Sequence, residues 1–103
     1  MILNPYRFAA DAGIKAGLVA WYDLEEASGT RSDAHSNGLD LTVNGTISSA
    51  TGKVGDAADK TSAGTDSLYH ADDALFDITG DMTIAGWINF SSVTDHFALF
   101  SKW

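Results

Sequence analysis

The chain contains no cysteine and only one proline, Pro5, in 103 residues. Without cysteine it has no disulfide framework, no thiolate metal site and no cysteine nucleophile. Because Pro5 lies near the N-terminus, every candidate strand further along is free to donate its ladder hydrogen bonds. Positive charge is also scarce: six Lys and Arg stand against fourteen Asp and Glu, a formal net charge of −8. This balance argues against nucleic-acid binding, which needs a basic face, and against docking on anionic lipid.

Long hydrophobic runs are missing as well. No stretch reaches the ~20 apolar residues needed to span a bilayer. The N-terminus, MILNPYRFAADAG, lacks the charged start of a secretory signal, and its apolar run is broken at Asn4-Pro5 and at Arg7. We therefore expect a protein that stays in the cytosol of the producing cell or is released without Sec export, as by lysis.

What is present is enough for one domain, with hydrophobic residues making up 45% of the chain. The segment Asp81–Phe90, DMTIAGWINF, has the pattern of a central strand in an antiparallel sandwich. Its even-numbered positions from Met82 onward are apolar or glycine, and its odd-numbered positions include Trp87. Neither side of this strand is therefore expected to face water freely.

Shorter alternating stretches, separated by turn signals, recur along the rest of the chain. We predict a first strand at Gly17–Glu25 and then a polar loop, Glu26–Gly38. The remaining predicted elements are strands at Leu39–Val43, Thr46–Ser49, Asp56–Lys60 (strand or loop), Ser67–His70 and His96–Trp103, a turn at Thr61–Gly64, and one turn of 3₁₀ or α-helix at Asp72–Phe76 capped by Asp72 or Asp73. No segment has a helical period, so the predicted fold class is all-β, an antiparallel β-sandwich.

Residues 1–16 differ in character from the rest. Two aromatic residues flank a cation in Tyr6-Arg7-Phe8, and an Ala-rich stretch follows. The segment is interpreted either as a disordered tail or as an arm that orders by docking on another subunit. Because exposing so many apolar side chains on a lone monomer is unfavourable, we favour a docking arm, with residues 17–103 as the sandwich. The predicted docking residues are Ile2, Leu3, Tyr6, Arg7 and Phe8.

Four segments, in this order, resemble the concanavalin A-like, LamG-type jelly-roll family. They are GLVAWYDLEEASGT (17–30), RSDAHSNGLDLTVNG (31–45), TGKVGDAAD with TDSLYH (51–59 and 65–70), and ALFDITGDMTIAGWINF with FALFSKW (74–103). The last resembles the family's Thr-Gly-Asp-x-Thr-Ile-x-x-Trp strand and the Phe-Ser-Lys that ends the next one. The resemblance covers ~85% of the chain and implies a jelly-roll sandwich.

The chain is shorter than that resemblance implies. Such domains need ~150–200 residues, so by this comparison we expect the chain to hold only the first half, without the return strands that pair with those seen here. Half a sandwich leaves long edges and one bare apolar side. A partner chain supplies the rest, the sequence is a fragment of a longer product, or the fold is a reduced relative. In the first case the chain is an oligomer, with other proteins of the same assembly or its own copies as partners.

The start of the chain carries a second resemblance. Asn-Pro-Tyr-Arg-Phe at 4–8 is similar to the start of phage virion and tail-associated proteins that carry LamG-type domains. Together with the LamG-type resemblance, the acidic charge and the lack of a secretory signal pattern, this second resemblance implies a bacteriophage particle component located in the virion.

Acidic loop residues provide a candidate metal site. Hard cations such as Ca²⁺ are coordinated by several oxygen atoms that converge from a loop. Three candidate ligands lie in one Gly-containing loop, namely Asp33, Asn37 and Asp40, and Asp66 lies in the next hairpin. Related jelly rolls often bind calcium near such loops. The alternative interpretation is that Asp33 and Asn37 make Asx turns and Asp40 is solvated.

Catalysis is not indicated by the residue pattern. The three histidines, His35, His70 and His96, have no zinc-ligand spacing. The acidic pairs Glu25-Glu26 and Asp72-Asp73 are adjacent, so their side chains diverge on a strand. The Glu-x-Asp-x-x-Glu pattern of hydrolases with this fold is absent.

Aromatic side chains leave a second function open. Trp21, Tyr22, Trp87 and Trp103 would stack on sugar rings if exposed, but Trp21 and Trp87 lie mid-strand and are interpreted as core. We therefore expect a non-enzymatic assembly module of a phage particle. The alternative is a lectin-like module for host surface glycans whose sugar-binding residues are unknown, with Ca²⁺ as its possible cofactor.

Overall fold

A computed structural model of the chain describes residues 15–60, 65–92 and 98–102. The regular structure in these ranges is almost entirely β. The elements are β1 (Thr42–Asn44), β2 (Ile47–Thr51), β3 (Asp56–Lys60), β4 (Ser67–Tyr69) and a 3₁₀ helix (Ala74–Phe76). Among the described residues, no helix has the length and apolar character needed to cross a membrane.

The longest paired element is the hairpin of β2 and β3. The two strands pair antiparallel over five residue pairs, from Ile47 opposite Lys60 to Thr51 opposite Asp56. The four-residue loop between them is closed by the Gly52 amide, which donates to the Gly55 carbonyl at 2.8 Å. The glycine-flanked turn and the short Thr/Ser/Ala-rich strands on either side of it favour such a local antiparallel hairpin.

A second antiparallel pair encloses the hairpin. Strand β1 precedes β2 and strand β4 follows β3, and the two pair with Val43 opposite Leu68. The connection from β1 into β2 turns at Gly45, whose φ is +83°. The Asn44 side-chain amide holds the same corner by donating to the Thr65 carbonyl at 2.9 Å. The result is two separate two-stranded sheets, and no packing of large sheets into a sandwich is established.

The predicted short elements are largely confirmed. The strand predicted at Thr46–Ser49 is β2, the segment Asp56–Lys60 is a strand rather than a loop, and Ser67–His70 contains β4. The helical turn predicted after Asp72 is the 3₁₀ helix, with Asp73 as its N-cap accepting the Leu75 amide. Of the strand predicted at Leu39–Val43, only its end lies in β1. The predicted turn at Thr61–Gly64 lies outside the described residues.

The strand predicted at Gly17–Glu25 is wrong. This segment makes only an isolated antiparallel bridge, Tyr22 opposite Asp33. Its extended course is interrupted at Leu24, which has a φ of +60°, a left-handed conformation that a bulky L-residue adopts only at a steric cost. A strand pattern alone does not supply the neighbouring strand that its backbone groups need.

The strand predicted at Asp81–Phe90 is wrong in the same way. Residues 81–90 contain no turn or bend but belong to no strand. In the described part of the chain, residues 79–89 make no backbone–backbone hydrogen bond. Residues 98–102 of the predicted last strand are also outside any strand. The alternating pattern is present in the sequence, but residues 79–89 form no ladder with another described segment.

The buried interior is small and partly polar. Among the described residues the buried apolar side chains are Leu39 and Ile47, 2% and 7% exposed. Arg31 is fully buried and takes the place of a core hydrophobe. Its guanidinium donates to the carbonyls of Gly29 at 2.6 Å and Ile47 at 3.4 Å, and its backbone exchanges two hydrogen bonds with Leu41. These contacts fasten the polar loop to the start of β2.

Candidate functional site

The polar loop after residue 25 is organised by the carboxylate of Asp33. Its Oδ1 atom accepts the backbone amides of Trp21 and His35, each at 2.9 Å, and its Oδ2 atom accepts the Leu39 amide at 3.1 Å. Partial burial raises the pKa of Asp33, but the three amide hydrogen bonds stabilise the charged form and lower the pKa below its usual value. Both oxygens are therefore engaged in holding the backbone.

The side chains of the two other candidate ligands of this loop also form hydrogen bonds with the main chain. One carboxylate oxygen of Asp40 accepts the Asp33 amide at 2.8 Å. The Asn37 side-chain amide donates to the Val19 carbonyl at 2.8 Å. The contact from His35 to Asp33 is the Asx turn of the alternative interpretation. Asp33 and Asp40 are thus brought together by a main-chain contact, while Asn37 turns toward the preceding segment.

The fourth candidate ligand, Asp66, belongs to a different corner of the molecule. It is 6% exposed, and its Oδ1 atom accepts the Thr46 amide at 3.1 Å beneath the Gly45 turn. Within the described ranges no three His, Asp or Glu side chains form a group that could hold a metal ion. Calcium binding by Asp33, Asn37, Asp40 and Asp66 stays a prediction.

A tyrosine joins the loop to the core. The Tyr22 hydroxyl donates to the Leu39 carbonyl at 2.6 Å. Burial, followed by the negative charges of Asp33 and Asp40, raises the pKa of Tyr22 to about 12. The phenol therefore stays protonated and acts as a structural donor at neutral pH.

Two charged residues near the loop were not among the predicted site residues. Arg31 is buried as described above, and Glu26 accepts the Ser32 amide at 2.7 Å. This hydrogen bond, assisted by the positive charge of Arg31, lowers the pKa of Glu26 despite partial desolvation. The only signal that could have identified Arg31 is its place as the single arginine between residues 8 and 103.

The acidic pairs and histidines serve separate structural contacts. Glu25 accepts the Asp56 amide at 3.1 Å and its neighbour Glu26 accepts that of Ser32, so the pair diverges. The ring of His70 packs edge-on against Phe76 with centroids 5.7 Å apart. His96 and Trp103 lie outside the described residues, as do the predicted docking residues Ile2, Leu3, Tyr6, Arg7 and Phe8.

The prominent surface feature is a set of exposed apolar side chains, which we call the apolar patch. Trp87 is 81% exposed, against the prediction that it is a core residue, and Trp21 is 43% exposed, which corrects the same prediction there. Both predictions assumed paired strands, and neither segment has them. The apolar patch consists of Met82, Ile84, Trp87, Ile88, Leu99 and Phe100.

The apolar patch lines an open groove of about 2490 Å³. Residues 17–24 and parts of β3 and β4 form its other walls. The charged side chains that line the groove carry both signs: they are Asp23, Asp56, Asp66, Asp72, Asp73, Asp81, Lys53, Lys60 and Lys102. The Nζ atom of Lys53 lies 5.6 Å from the Trp87 ring centroid. The groove therefore combines apolar walls with charged groups of both signs.

Comparison with known proteins identifies no relative of this chain. No family model, curated protein or solved structure matches the chain.

Proposed function

We propose that this protein is a non-enzymatic structural module that assembles with other polypeptides, as a component of a bacteriophage particle. The observation that carries the proposal is the apolar patch. Six large apolar side chains of segments 82–88 and 99–100 are between 47% and 81% exposed, whereas soluble monomers rarely expose contiguous apolar surface of this extent.

The size of the patch fits a protein–protein interface. From the exposed fractions, and side-chain areas of roughly 200 Å² each, the six side chains expose about 700 Å². Each partner in a standard interface buries roughly 800 Å². Covering the patch would remove apolar area worth up to about 17 kcal/mol at 25 cal/mol/Å², from which the costs of lost freedom, side-chain ordering and polar desolvation on association are subtracted.

The phage assignment rests on resemblance. The four LamG-like segments and the Asn-Pro-Tyr-Arg-Phe start at 4–8 support a virion protein. In this proposal residues 1–16 are a docking arm that anchors the module, and the apolar patch is a second surface, closed in the particle by β-structure from a neighbouring subunit. A completed jelly-roll sandwich is the finer fold that this assembly would produce.

Incorporation into particles tests the proposal. An epitope-tagged full chain is expressed during propagation of the phage that encodes it, and particles are purified on a density gradient. We expect the tag to band with the particles, the variant lacking residues 1–16 to be excluded, and Ile84→Asp to reduce incorporation. A soluble, folded tagged chain that never bands with particles would contradict the proposal, as would a monomeric chain whose patch binds no apolar dye.

A second candidate is glycan binding, which the exposed indole rings favour. Trp87 carries Lys53 over its ring, and Lys15 Nζ lies 5.4 Å from the Trp21 centroid. An accessible indole beside a hydrogen-bond donor is an arrangement that stacks on sugar rings. A glycan array probed with the full chain, with and without Ca²⁺, tests this. Specific hits lost in Trp87→Ala but kept without residues 1–16 would favour the lectin function.

A further inference from the structure

Gly86 occupies a position at which the described chain does not itself require glycine. It lies inside the alternating segment 81–89 and is not among the glycines with positive φ. A Cβ atom built on it would meet nothing within 4 Å in the described structure. Glycine inside a strand pattern often marks a site where a ligand or another backbone comes close. Gly86 therefore indicates that a backbone from outside the described residues approaches this segment.

The backbone around Gly86 has capacity for such a partner. Residues 81–89 run without turn or bend, and within the described ranges residues 79–89 form no ladder with another segment. An unpaired strand-like segment is a template for pairing with another chain. Both ladders of the described structure are antiparallel, and we take the same arrangement for the missing pair.

We infer that the partner is a second copy of this chain, which pairs its own segment 81–89 antiparallel to the first across a two-fold axis at Ala85. This inference rests on the proposed function and names the neighbouring subunit. In this register Ile84 lies opposite the partner's Gly86, and Met82 lies opposite the partner's Ile88. The position of the axis follows from side-chain size, because it places the bulky Ile84 opposite the glycine.

The same register is complementary in charge. Asp81 and Trp87 lie on one side of the pleat, since side chains alternate along a strand. Thr83 lies opposite the partner's Trp87, so Asp81 is a diagonal neighbour of that indole, within reach of a long side chain. Lys53 Nζ lies 5.6 Å from the Trp87 ring centroid. The two-fold axis therefore brings Asp81 of each copy near the partner's Lys53.

The area of the apolar patch fits a dimer of this kind. A two-fold interface uses the same surface of both subunits. Covering about 700 Å² on each copy buries about 1,400 Å² in total, within the range of roughly 1,200–2,000 Å² for specific stable interfaces. The net charge of −8 on each copy opposes association at long range, but physiological salt screens it beyond about 8 Å.

Because the chain has no cysteine, a single introduced thiol tests the two-fold axis. Ala85→Cys places the two thiols on opposing residues, whose Cα atoms, about 4.5–5.5 Å apart, suit a disulfide. Thr83→Cys is the matched control, since its two copies lie about 14 Å apart along the strands. Under mild oxidation in 0.15 M NaCl, we expect Ala85→Cys to form a covalent dimer of the 10.9 kDa chain and Thr83→Cys to remain largely monomeric on a non-reducing gel.

A size exchange tests the contact between Ile84 and Gly86. Gly86→Ile alters a position where a Cβ atom meets nothing within 4 Å of the same chain, but in the dimer the new side chain meets the partner's Ile84 at two symmetry-related places. This overpacking should weaken dimerisation at least about tenfold in sedimentation equilibrium. Adding Ile84→Gly keeps the composition and should return the dissociation constant to within about threefold of the parent value. Matching circular dichroism spectra and urea midpoints establish that the variants fold.

The outcomes separate this inference from the proposed function. A dimer that cross-links selectively through residue 85 and recovers on the size exchange supports the inference. Equal cross-linking through both positions, or a dimer that Gly86→Ile leaves intact, overturns it. If the parent chain is a monomer up to its solubility limit but still bands with the particles, the inference fails and the assembly function stands. If it is a monomer and is absent from the particles, both fail.

Discussion

Replacing Gly45 with alanine should destabilise the protein strongly, because two independent constraints meet at this turn. Gly45 has a φ of +83°. A Cβ atom built there would lie far inside contact distance of the Asp66 carboxylate, 1.9 Å from Oδ1 and 2.8 Å from Cγ. Asp66 is nearly buried and cannot move out to solvent without giving up its hydrogen bond to the Thr46 amide.

The magnitude follows from the two constraints. A left-handed conformation costs an alanine about 1–2 kcal/mol. Displacing the Asp66 carboxylate leaves buried polar groups without their partner, which adds about 1–3 kcal/mol. We therefore expect Gly45→Ala to reduce the free energy of unfolding by about 3 kcal/mol. Gly38→Ala is the matched control: its φ is +69° and a Cβ there meets nothing within 4 Å, so only the conformational cost of about 1–2 kcal/mol applies.

Urea unfolding followed by tryptophan fluorescence, with circular dichroism as a second probe, measures the difference. Asp66→Ala supplies a further check, because removing the carboxylate opens the space that the new methyl group needs. In that background Gly45→Ala should cost only about as much as Gly38→Ala does in the parent. Equal destabilisation by Gly45→Ala and Gly38→Ala in the parent chain would refute the steric argument.

Four other perturbations have defined outcomes. Arg31→Met should lower the free energy of unfolding by about 2–3 kcal/mol, measured in urea, because the buried carbonyl of Ile47 and the part-buried carbonyl of Gly29 lose their donor; an unchanged midpoint would contradict the structural role. The Asp33 pKa is lowered in the folded state, so its stabilisation is present at neutral pH and is lost as pH falls below about 4; urea midpoints at pH 7 and pH 3 should differ less in Asp33→Asn. Tyr22→Phe should cost about 1 kcal/mol through its lost hydrogen bond. Trp87→Ala should change stability by less than about 0.5 kcal/mol because the side chain is 81% exposed; a larger loss of thermal stability would place the indole in a core.

The elements that the sequence predicted correctly have local causes. The short strands β2 and β3 and the turn capped by Asp73 each depend on residues within a few positions of one another. Their signals are glycine in a turn, a short polar cap and brief alternation, and each acts without help from distant segments.

The incorrect predictions concern strands that need a distant partner. Asp81–Phe90 has strong β character, yet pairing is a property of two segments, and the described chain provides only one. At Gly17–Glu25 the alternating pattern predicts a strand, but the left-handed backbone conformation of Leu24 interrupts it. The core assignments of Trp21 and Trp87 were wrong for the same reason, since burial requires the opposing sheet.

The candidate site was partly predictable. The loop sequence predicts that Asp33 is either a metal ligand or the first residue of an Asx turn, and the structure contains the Asx turn. The buried Arg31 was not identified, because a cation in a polar loop is ordinarily solvated. Its burial depends on carbonyl groups from two separate segments, Gly29 and Ile47, that only the folded chain brings together.

The enclosure of one strand pair by the other has a kinetic consequence. Before the β2–β3 hairpin forms, β1 and β4 are separated by 22 residues of open chain between Asn44 and Ser67. A hairpin closes in about 1–10 μs, and once formed it leaves only short connections to either side, so the outer pair closes a much smaller loop. Folding of this region is thus expected to proceed from the inside outward, and a fault in the hairpin turn should slow the appearance of the outer ladder as well.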